Sequence, residues 1–436
     1  MTTATTNKRT VEPESNIYSE YFQYTNKYVL EYGANTIVLM QVGAFFEVYG
    51  VKDSAGKIIE SKIDEFAEIC QLNISEKKIT HNTGQIVMAG FRDFTVDKYL
   101  LKLTESGYTA CVFVQEKNGK TITRVLDRVY SPGTYITCDT DSSPQITNHI
   151  MCIWMETFSR PNSREQIVYG GSVVNIFTGK TSIFQHETPF FMNATTFDEL
   201  ERYVSIYSPS EVMIVSPFTE GKMNSIVQLI GLRPKVLHMV STMSNEKATR
   251  CTSQRYLKQI LTNYFGEETF DVCSEFQTYN IASQSFCYLL NFIQEHDSDL
   301  VRKISIPEFN NVSTRMILAN HTLSQLNIIS DSTAESKQSG HLSCVSSFLN
   351  KCCSPMGKRR FQYQLLNPTF DADWLTKEYM MISLMMTENY DLIDVIRKQL
   401  LQIRDIEKIS RQLILKKLYP SSIFYLYKSS RIVQEM

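Results

Sequence analysis

"TIVLMQVGAFFEVYG", residues 36 to 50, is a run of apolar, β-branched and aromatic residues that contains two glycines, Gly43 and Gly50, and the polar Gln41 and Glu47. Such residues favour extended chain, in which successive side chains point to opposite faces. "TIVLMQV" reads as a buried strand. If the extended chain continues through "GAFFEVYG", Ala44, Phe46 and Val48 share one face, while Gly43, Phe45, Glu47 and Tyr49 share the other. The first is an ordinary core face. The second sets a large aromatic two residues from a carboxylate, behind a glycine that permits close backbone approach.

Strand and helix signals alternate around this run, from residue 17 to about 138. In "KIDEFAEICQLN", Ile63, Phe66, Ile69 and Cys70 fall at helical spacing. In "TVDKYLLKLTESG", Val96, Tyr99, Leu100 and Leu103 form a second stripe, with Thr95 as N-cap and Gly107 past the end. "YTACVFVQE", "KNGK" and "TITRVLDRVY" read as a hairpin on an Asn-Gly turn. The polar "CDTDSSPQITN" (138–148) reads as a linker. Beyond it, "MCIWMETF", "IVYGGSVVNIF" and "TSIFQHE" read as a three-strand meander. The helix "TTFDELERYVSIY" and the strand "EVMIVSP" complete a second, mixed domain ending near 240. From about 250 the pattern is helical, with Ala282, Phe286, Leu289, Leu290 and Ile293 on one core face. The chain stops in "SSRIVQEM" without a helix-stop signal, which is expected of a truncation.

A length of 436 residues implies two to four domains. With 43% hydrophobic and 21% charged residues, the composition excludes a disordered or collagen-like chain. A net charge of −2 gives no global attraction to nucleic acid, so any DNA contact rests on local patches. The apolar runs fall well short of the roughly 20 residues of a membrane span, and no membrane partner is expected. Residues 1–16 are polar, carry no secretory segment and read as a disordered leader. The ten cysteines form no CxxC, and the seven histidines show no metal-ligand spacing. Buried thiols in a reducing intracellular compartment, with no bound metal, are therefore expected.

"VGAFFEVYG" resembles the Gly-x-Phe-Tyr-Glu-Leu motif near the start of the MutS family of DNA mismatch recognition proteins, with Phe46 in place of the usual tyrosine. "VMAGFRDFTVDKYLLKLTESGYTACVFVQE" is similar to that family's MAG…YL-x-KL…GY segment, and "TRVLDRVYSPGTYI" to its R-x-x-x-R-x-x-TPGT close. Later, "LSCVSSFLNKCCSPMGKRRFQYQLLNPTFD" resembles the MG-x-R start of the lever region, and "IRDIEKISRQL" the DLER helix that follows. The divergent leader and Phe46 suit the large-DNA-virus and octocoral-mitochondrial branches. The compartment is then cytoplasm or nucleus, with a viral factory or mitochondrion as further options.

The resemblance implies a multidomain α/β plus all-α chain. A leader (1–16) precedes an α/β mismatch-recognition domain (17–138), an RNase H-like connector (145–245) and a long-helix lever domain (250–436). The implied function is DNA mismatch recognition in repair, with double-stranded DNA carrying mismatches or small loops as partner. Carried over by position, Phe45 is a wedge that inserts at a mispaired or unpaired base and kinks the duplex. Glu47 contacts the base, either protonated as a donor or ionised as an acceptor, and Gly43 allows close approach. Lys77 and Lys78 in the loop "SEKKITHNTGQ", and Arg92 after the "MAG" turn, are candidates for phosphates, with a plainly solvated basic loop as the alternative. Lys358, Arg359 and Arg360 are expected to pair along a helix surface rather than with DNA.

In the family a clamp and an ABC-type ATPase domain follow, and the ATPase makes the dimer. Here the Gly-x-x-x-x-Gly-Lys-Ser/Thr signature is missing. In "TGKTS" (Gly179, Lys180, Thr181) the first glycine's position is Val174 and a strand follows, so the segment reads as a hairpin turn. No catalytic residue and no cofactor are expected in this chain, while ATP, Mg²⁺ and a homodimer belong to a longer parent protein. A Mg²⁺-dependent nuclease would need several converging carboxylates, and "MCIWMETF" offers only Glu156. A helical scaffold that binds no DNA is the other alternative.

Overall fold

The computed structural model describes residues 14–81, 84–118, 121–137, 145–159, 161, 164–269, 273–309, 315–316, 322–329 and 342–436. They divide between two compact units, Met1–Tyr135 and Ile136–Met436.

The first unit runs α1 (Glu14–Tyr32), β1 (Thr36–Val42), β2 (Phe45–Lys52), β3 (Ile58–Ile59), α2 (Ile63–Cys70), β4 (Ser75–His81), β5 (Gly84–Arg92), α3 (Val96–Glu105), β6 (Thr109–Asn118) and β7 (Thr121–Tyr130). The sheet order is β4-β5-β2-β1-β6-β7, with β3 beside β2. Helix α1 forms because Tyr18, Tyr21, Phe22, Thr25, Tyr28 and Tyr32 recur at helical spacing, and all six are buried. It covers the sheet face that carries Tyr49, whose ring meets the edges of Tyr18 and Tyr21 at 5.0 and 5.1 Å. The opposite face carries Phe46 and Phe91. There Phe91 stacks on Tyr99 of α3 at 4.2 Å and lies 6.3 Å from Phe66 of α2.

Two expectations change here. The extended chain is not continuous through residues 43 and 44, because Val42 pairs with Phe45 and Gly43–Ala44 form a two-residue hairpin turn. Gly43 has φ +62°, and no positive φ occurs at Ala44, the pattern of a type II′ turn. Ala44 is consequently exposed rather than in the core, while Phe46 and Val48 are buried as the alternation requires. The segment "SEKKITHNTGQ" is not a loop either. Most of it is β4, paired with β5 across a bulge between Glu76 and Thr80. Its lysines and bulge are devices by which an edge strand discourages pairing with other chains, and they hide the strand from a pattern reading. The "KNGK" turn falls partly on residues 119–120, outside the described residues.

The second unit opens with the expected meander, β8 (His149–Phe158), β9 (Gln166–Asn175) and β10 (Thr181–Pro189). It continues through α4 (Asp198–Tyr207), β11 (Glu211–Ser216), α5 (Glu220–Leu229) and β12 (Val236–Ser241). With β13 (Glu308–Phe309) the sheet order is β12-β11-β8-β9-β10-β13. Strands β8, β9 and β10 are antiparallel neighbours, whereas β11 runs parallel to β8, and β12 to β11. Alternation along β8 sends Met151, Ile153 and Met155 into the core with α4 and α5. Ile150, Cys152 and Trp154 face the other core, which includes residues of α6 (Glu246–Cys251), α7 (Gln254–Phe265) and α8 (Asn280–His296). The α8 stripe is buried as expected, but against this sheet, so one hydrophobic core runs past the boundary drawn at 245–250.

The chain continues as α9 (Pro355–Leu366), α10 (Ala372–Thr387), α11 (Tyr390–Leu400), α12 (Ile406–Ile414) and α13 (Pro420–Glu435). Ser354, Asp371 and Asp405 cap α9, α10 and α12 through their side chains. Among the described residues no helix is long and apolar enough to cross a membrane, and the cysteines are free thiols.

Candidate nucleic-acid interface

The tip of the β1–β2 hairpin is braced from its neighbours. Gln41 Oε1 accepts from the Gln115 backbone N–H at 2.9 Å, and the Gly43 N–H donates to Gln115 Oε1 at 3.3 Å. On the other side the Asp93 N–H donates to Ala44 O at 3.0 Å, and Phe45 lies directly opposite Arg92. This bracing holds an aromatic ring out in water, since Phe45 is 43% exposed while its neighbour Phe46 is 5% exposed. An exposed phenylalanine on a hairpin whose next residue anchors the core is a rigid apolar projection. Gly43 meets open space, where a Cβ would touch nothing within 4 Å, so its requirement is the positive φ of the turn.

Glu47 shares Phe45's face but is 8% exposed. Its Oε2 accepts from the Tyr49 hydroxyl at 2.5 Å and from Lys77 Nζ at 3.1 Å. Lys77 Nζ also sits over the Tyr49 ring, 5.4 Å from its centroid. Burial, and then the adjacent Glu47 charge, push the Tyr49 phenol well above its ordinary pKa, so it stays a donor. Directly opposite Glu47 is Gly90, where a Cβ would lie 2.7 Å from Phe46 O and 3.3 Å from Glu47 Cγ. A side chain at residue 90 would therefore crowd the Phe46 carbonyl and then the stem of Glu47.

Of the six site residues read from sequence, Gly43, Phe45, Glu47 and Arg92 gather at this end of β1, β2 and β5. Arg92 is exposed beside Phe45. Lys77 joins them as the partner of Glu47 rather than as a free cation. Lys78 is exposed at the next position of β4, within the bulged stretch between Glu76 and Thr80. Tyr49, Gly90 and Phe94 were missed. Phe94 is 75% exposed, two residues past Arg92 in the turn that follows β5; an aromatic amid polar "RD" and "TVD" was the available signal.

The remaining candidates lie in the second unit. Glu156 accepts from Trp154 Nε1 at 2.9 Å, and among the described residues no three His, Cys, Asp or Glu gather to hold a metal. Gly179 and Lys180 lie in the β9–β10 turn and β10 follows directly, the arrangement of a hairpin rather than a phosphate loop. Arg359 makes a bidentate pair with Asp405 and a third bond to Glu407, joining α9 to the start of α12.

MutS domain I matches residues 21–139 and MutS domain III residues 321–435, together more than half of the chain. A putative DNA mismatch repair protein mutS homolog of Acanthamoeba polyphaga mimivirus is 25% identical over 93% of this chain and 38% of its own length. The DNA mismatch repair protein MutS of Fusobacterium nucleatum is 25% identical over 89% of the chain and 39% of its own length. The mitochondrial DNA mismatch repair protein mutS homolog of Sarcophyton glaucum is 23% identical, covering 90% of the chain and 42% of the relative. The chain spans about two fifths of the length of the curated relatives it matches. With two domains of one family matched in order and relatives aligned along nearly its whole length, the chain belongs to the MutS family of DNA mismatch repair proteins.

Proposed function

We infer that this chain recognises mispaired and unpaired bases in double-stranded DNA by inserting Phe45 into the minor groove, where it unstacks and kinks the duplex while Glu47 contacts the exposed base. The observation that carries this reading is the contrast between an exposed Phe45 and a buried Phe46 on a braced hairpin. Unstacking a base step costs a few kcal/mol, and least where pairing is already defective. Discrimination then comes from deformability, and a saving of about 1.4 kcal/mol is tenfold in affinity. Arg92, exposed beside the wedge, and Lys78 are the candidates for phosphates.

The sheet order of the second unit, three antiparallel strands followed by two parallel ones, supports the RNase H-like reading of residues 145–245. Its Glu156, bonded to Trp154, offers no carboxylate cluster for a nuclease. Residues 250–436 are then the lever, and ATP, Mg²⁺ and a homodimer belong to a longer parent protein carrying an ATPase domain.

The test is fluorescence anisotropy with duplexes carrying a G·T mismatch, an unpaired T or no defect, across a salt series. Phe45→Ala is expected to remove the preference for the defective duplexes and to leave weak, salt-dependent binding. Equal affinity of the unaltered chain for matched and mismatched DNA would refute the reading.

A further inference from the structure

Of the basic cluster Lys358, Arg359 and Arg360, Arg359 alone has its charge answered. Its guanidinium donates to Asp405 at 2.5 and 2.7 Å, to Glu407 at 2.6 Å and to the Ile146 carbonyl at 3.1 Å. Arg360 is exposed and makes no hydrogen bond or ion pair among the described residues. It does not lie on an outward face of the helix, however. Met356, Arg359, Arg360 and Tyr363 recur at helical spacing, and this face of α9 lines a cavity of about 380 Å³ shared with β8, β9, β10 and the end of α4. A helix usually turns apolar residues toward the body of its unit. Here two of the four positions are arginines.

The walls of this cavity are held in place by groups that satisfy one another. Lys180 donates to Glu407 at 2.8 Å, so Lys180 and Arg359 between them occupy both oxygens of that carboxylate. Arg202 of α4 reaches Asn367, just past the end of α9, at 3.2 Å, and Asn367 in turn donates to the Tyr363 hydroxyl at 3.0 Å. Tyr363 and Tyr207 form an aromatic wall, their ring centroids 6.5 Å apart. The Arg360 guanidinium and the Gln362 amide are left without partners among the described residues. Glu308 of β13 also lines the space and repels anions, so a negative group would lie on the α9 side.

We propose that this cavity binds a small organic anion carrying an aromatic ring, of about mononucleotide size, with its charged group on Arg360 and its ring against Tyr207 and Tyr363. The volume falls within the roughly 300–1,000 Å³ of small-molecule sites, which combine apolar walls with a few polar groups that fix orientation. A bound ligand would join the sheet to α9. The inference stands apart from the reading of Phe45, since no residue of the first unit takes part.

The experiment is equilibrium dialysis of the full chain against adenosine monophosphate, adenosine and inorganic phosphate, each up to millimolar concentration. The sequence has no Gly-x-x-x-x-Gly-Lys-Ser/Thr signature, so no P-loop competes for the nucleotide. Adenosine monophosphate is expected to saturate at one per chain and to bind roughly tenfold more tightly than adenosine or phosphate alone. Arg360→Gln should lower its affinity to that of adenosine. Tyr363→Leu should weaken nucleotide and nucleoside alike, and Lys358→Gln, one position off the lining face, should change nothing. Urea midpoints show whether each variant is folded; Arg360 is exposed and holds no other group, so its substitution decides the matter even if Tyr363→Leu unfolds. Absence of saturable nucleotide binding overturns the proposal. So does phosphate binding as tightly as the nucleotide, which marks a bare anion site, or an equal loss from Arg360→Gln and Lys358→Gln, which marks diffuse surface charge.

Discussion

Gly43 shows how a single residue's requirement differs from the one its motif implies. Its φ of +62° lies in the left-handed region, yet a Cβ there would touch nothing within 4 Å. Gly43→Ala should therefore cost about 1 kcal/mol through backbone strain alone, and Gly43→Asn less, because asparagine tolerates that region. Urea denaturation of the two variants checks this; equal losses would point to a steric cause instead. The same residues mark what the sequence could reveal about the site. Alternation along residues 45–49 separates Phe45 and Glu47 from Phe46, because the period of a strand is local information. The clasp on Glu47 was not legible. It needs Lys77 on an edge strand that pairs with β5, which in turn pairs with β2, and such contacts leave no trace in spacing along the chain.

Elements that the pattern revealed are those with one polar and one apolar side. Helices α2 and α3 belong here, whereas strands β8 and β9 were legible for another reason, as apolar runs buried against a core on each face. Helix α1 was overlooked because its stripe is built from tyrosines, whose polar tips disguise a buried face. Helix α8 was found, but its place was not, since a helix buried nearly all round does not say what covers it. The cover is the β8–β9 sheet, and glycine makes the contact possible. A Cβ on Gly170 would lie 2.5 Å from the Ala282 backbone nitrogen, whereas one on Gly221 in α5 meets open space. Gly170→Ala is therefore expected to destabilise the fold by roughly 1–3 kcal/mol through overpacking. Gly221→Ala should be neutral or slightly stabilising, as alanine suits a helix better. Trp154, buried and directly opposite Gly170 in the sheet, contributes fluorescence for the urea titration. An unchanged midpoint for Gly170→Ala would mean that α8 is not seated on β9.

For the molecule as a whole, a net charge of −2 leaves little room for a global electrostatic response, and sensitivity to pH comes from burial instead. His296 is 2% exposed, packs its ring tilted against Phe292 at 4.2 Å, and shares a hydrogen bond through Nδ1 with the Phe292 carbonyl. Burial pushes its pKa from the ordinary 6.5 down to about 4, against an upward pull from Glu211 and with smaller downward contributions from His238 and Lys247. Burial also takes His149 to about 4, but that ring keeps some exposure, so His296 carries the argument. The sign follows from proton counting. As pH falls from 6.5 toward 4, the unfolded histidine takes up a proton and the folded one does not. Stability is therefore complete above about pH 6.5 and declines through this window, by about 2 kcal/mol at pH 5 for one such group. Urea midpoints at pH 7 and pH 5 should differ in that direction. His296→Gln removes the titrating group and should shrink the difference by a similar amount, whatever it does to stability at pH 7. If parent and variant lose equal stability between the two pH values, the folded protein already accommodates the charged ring and the buried-histidine account is wrong.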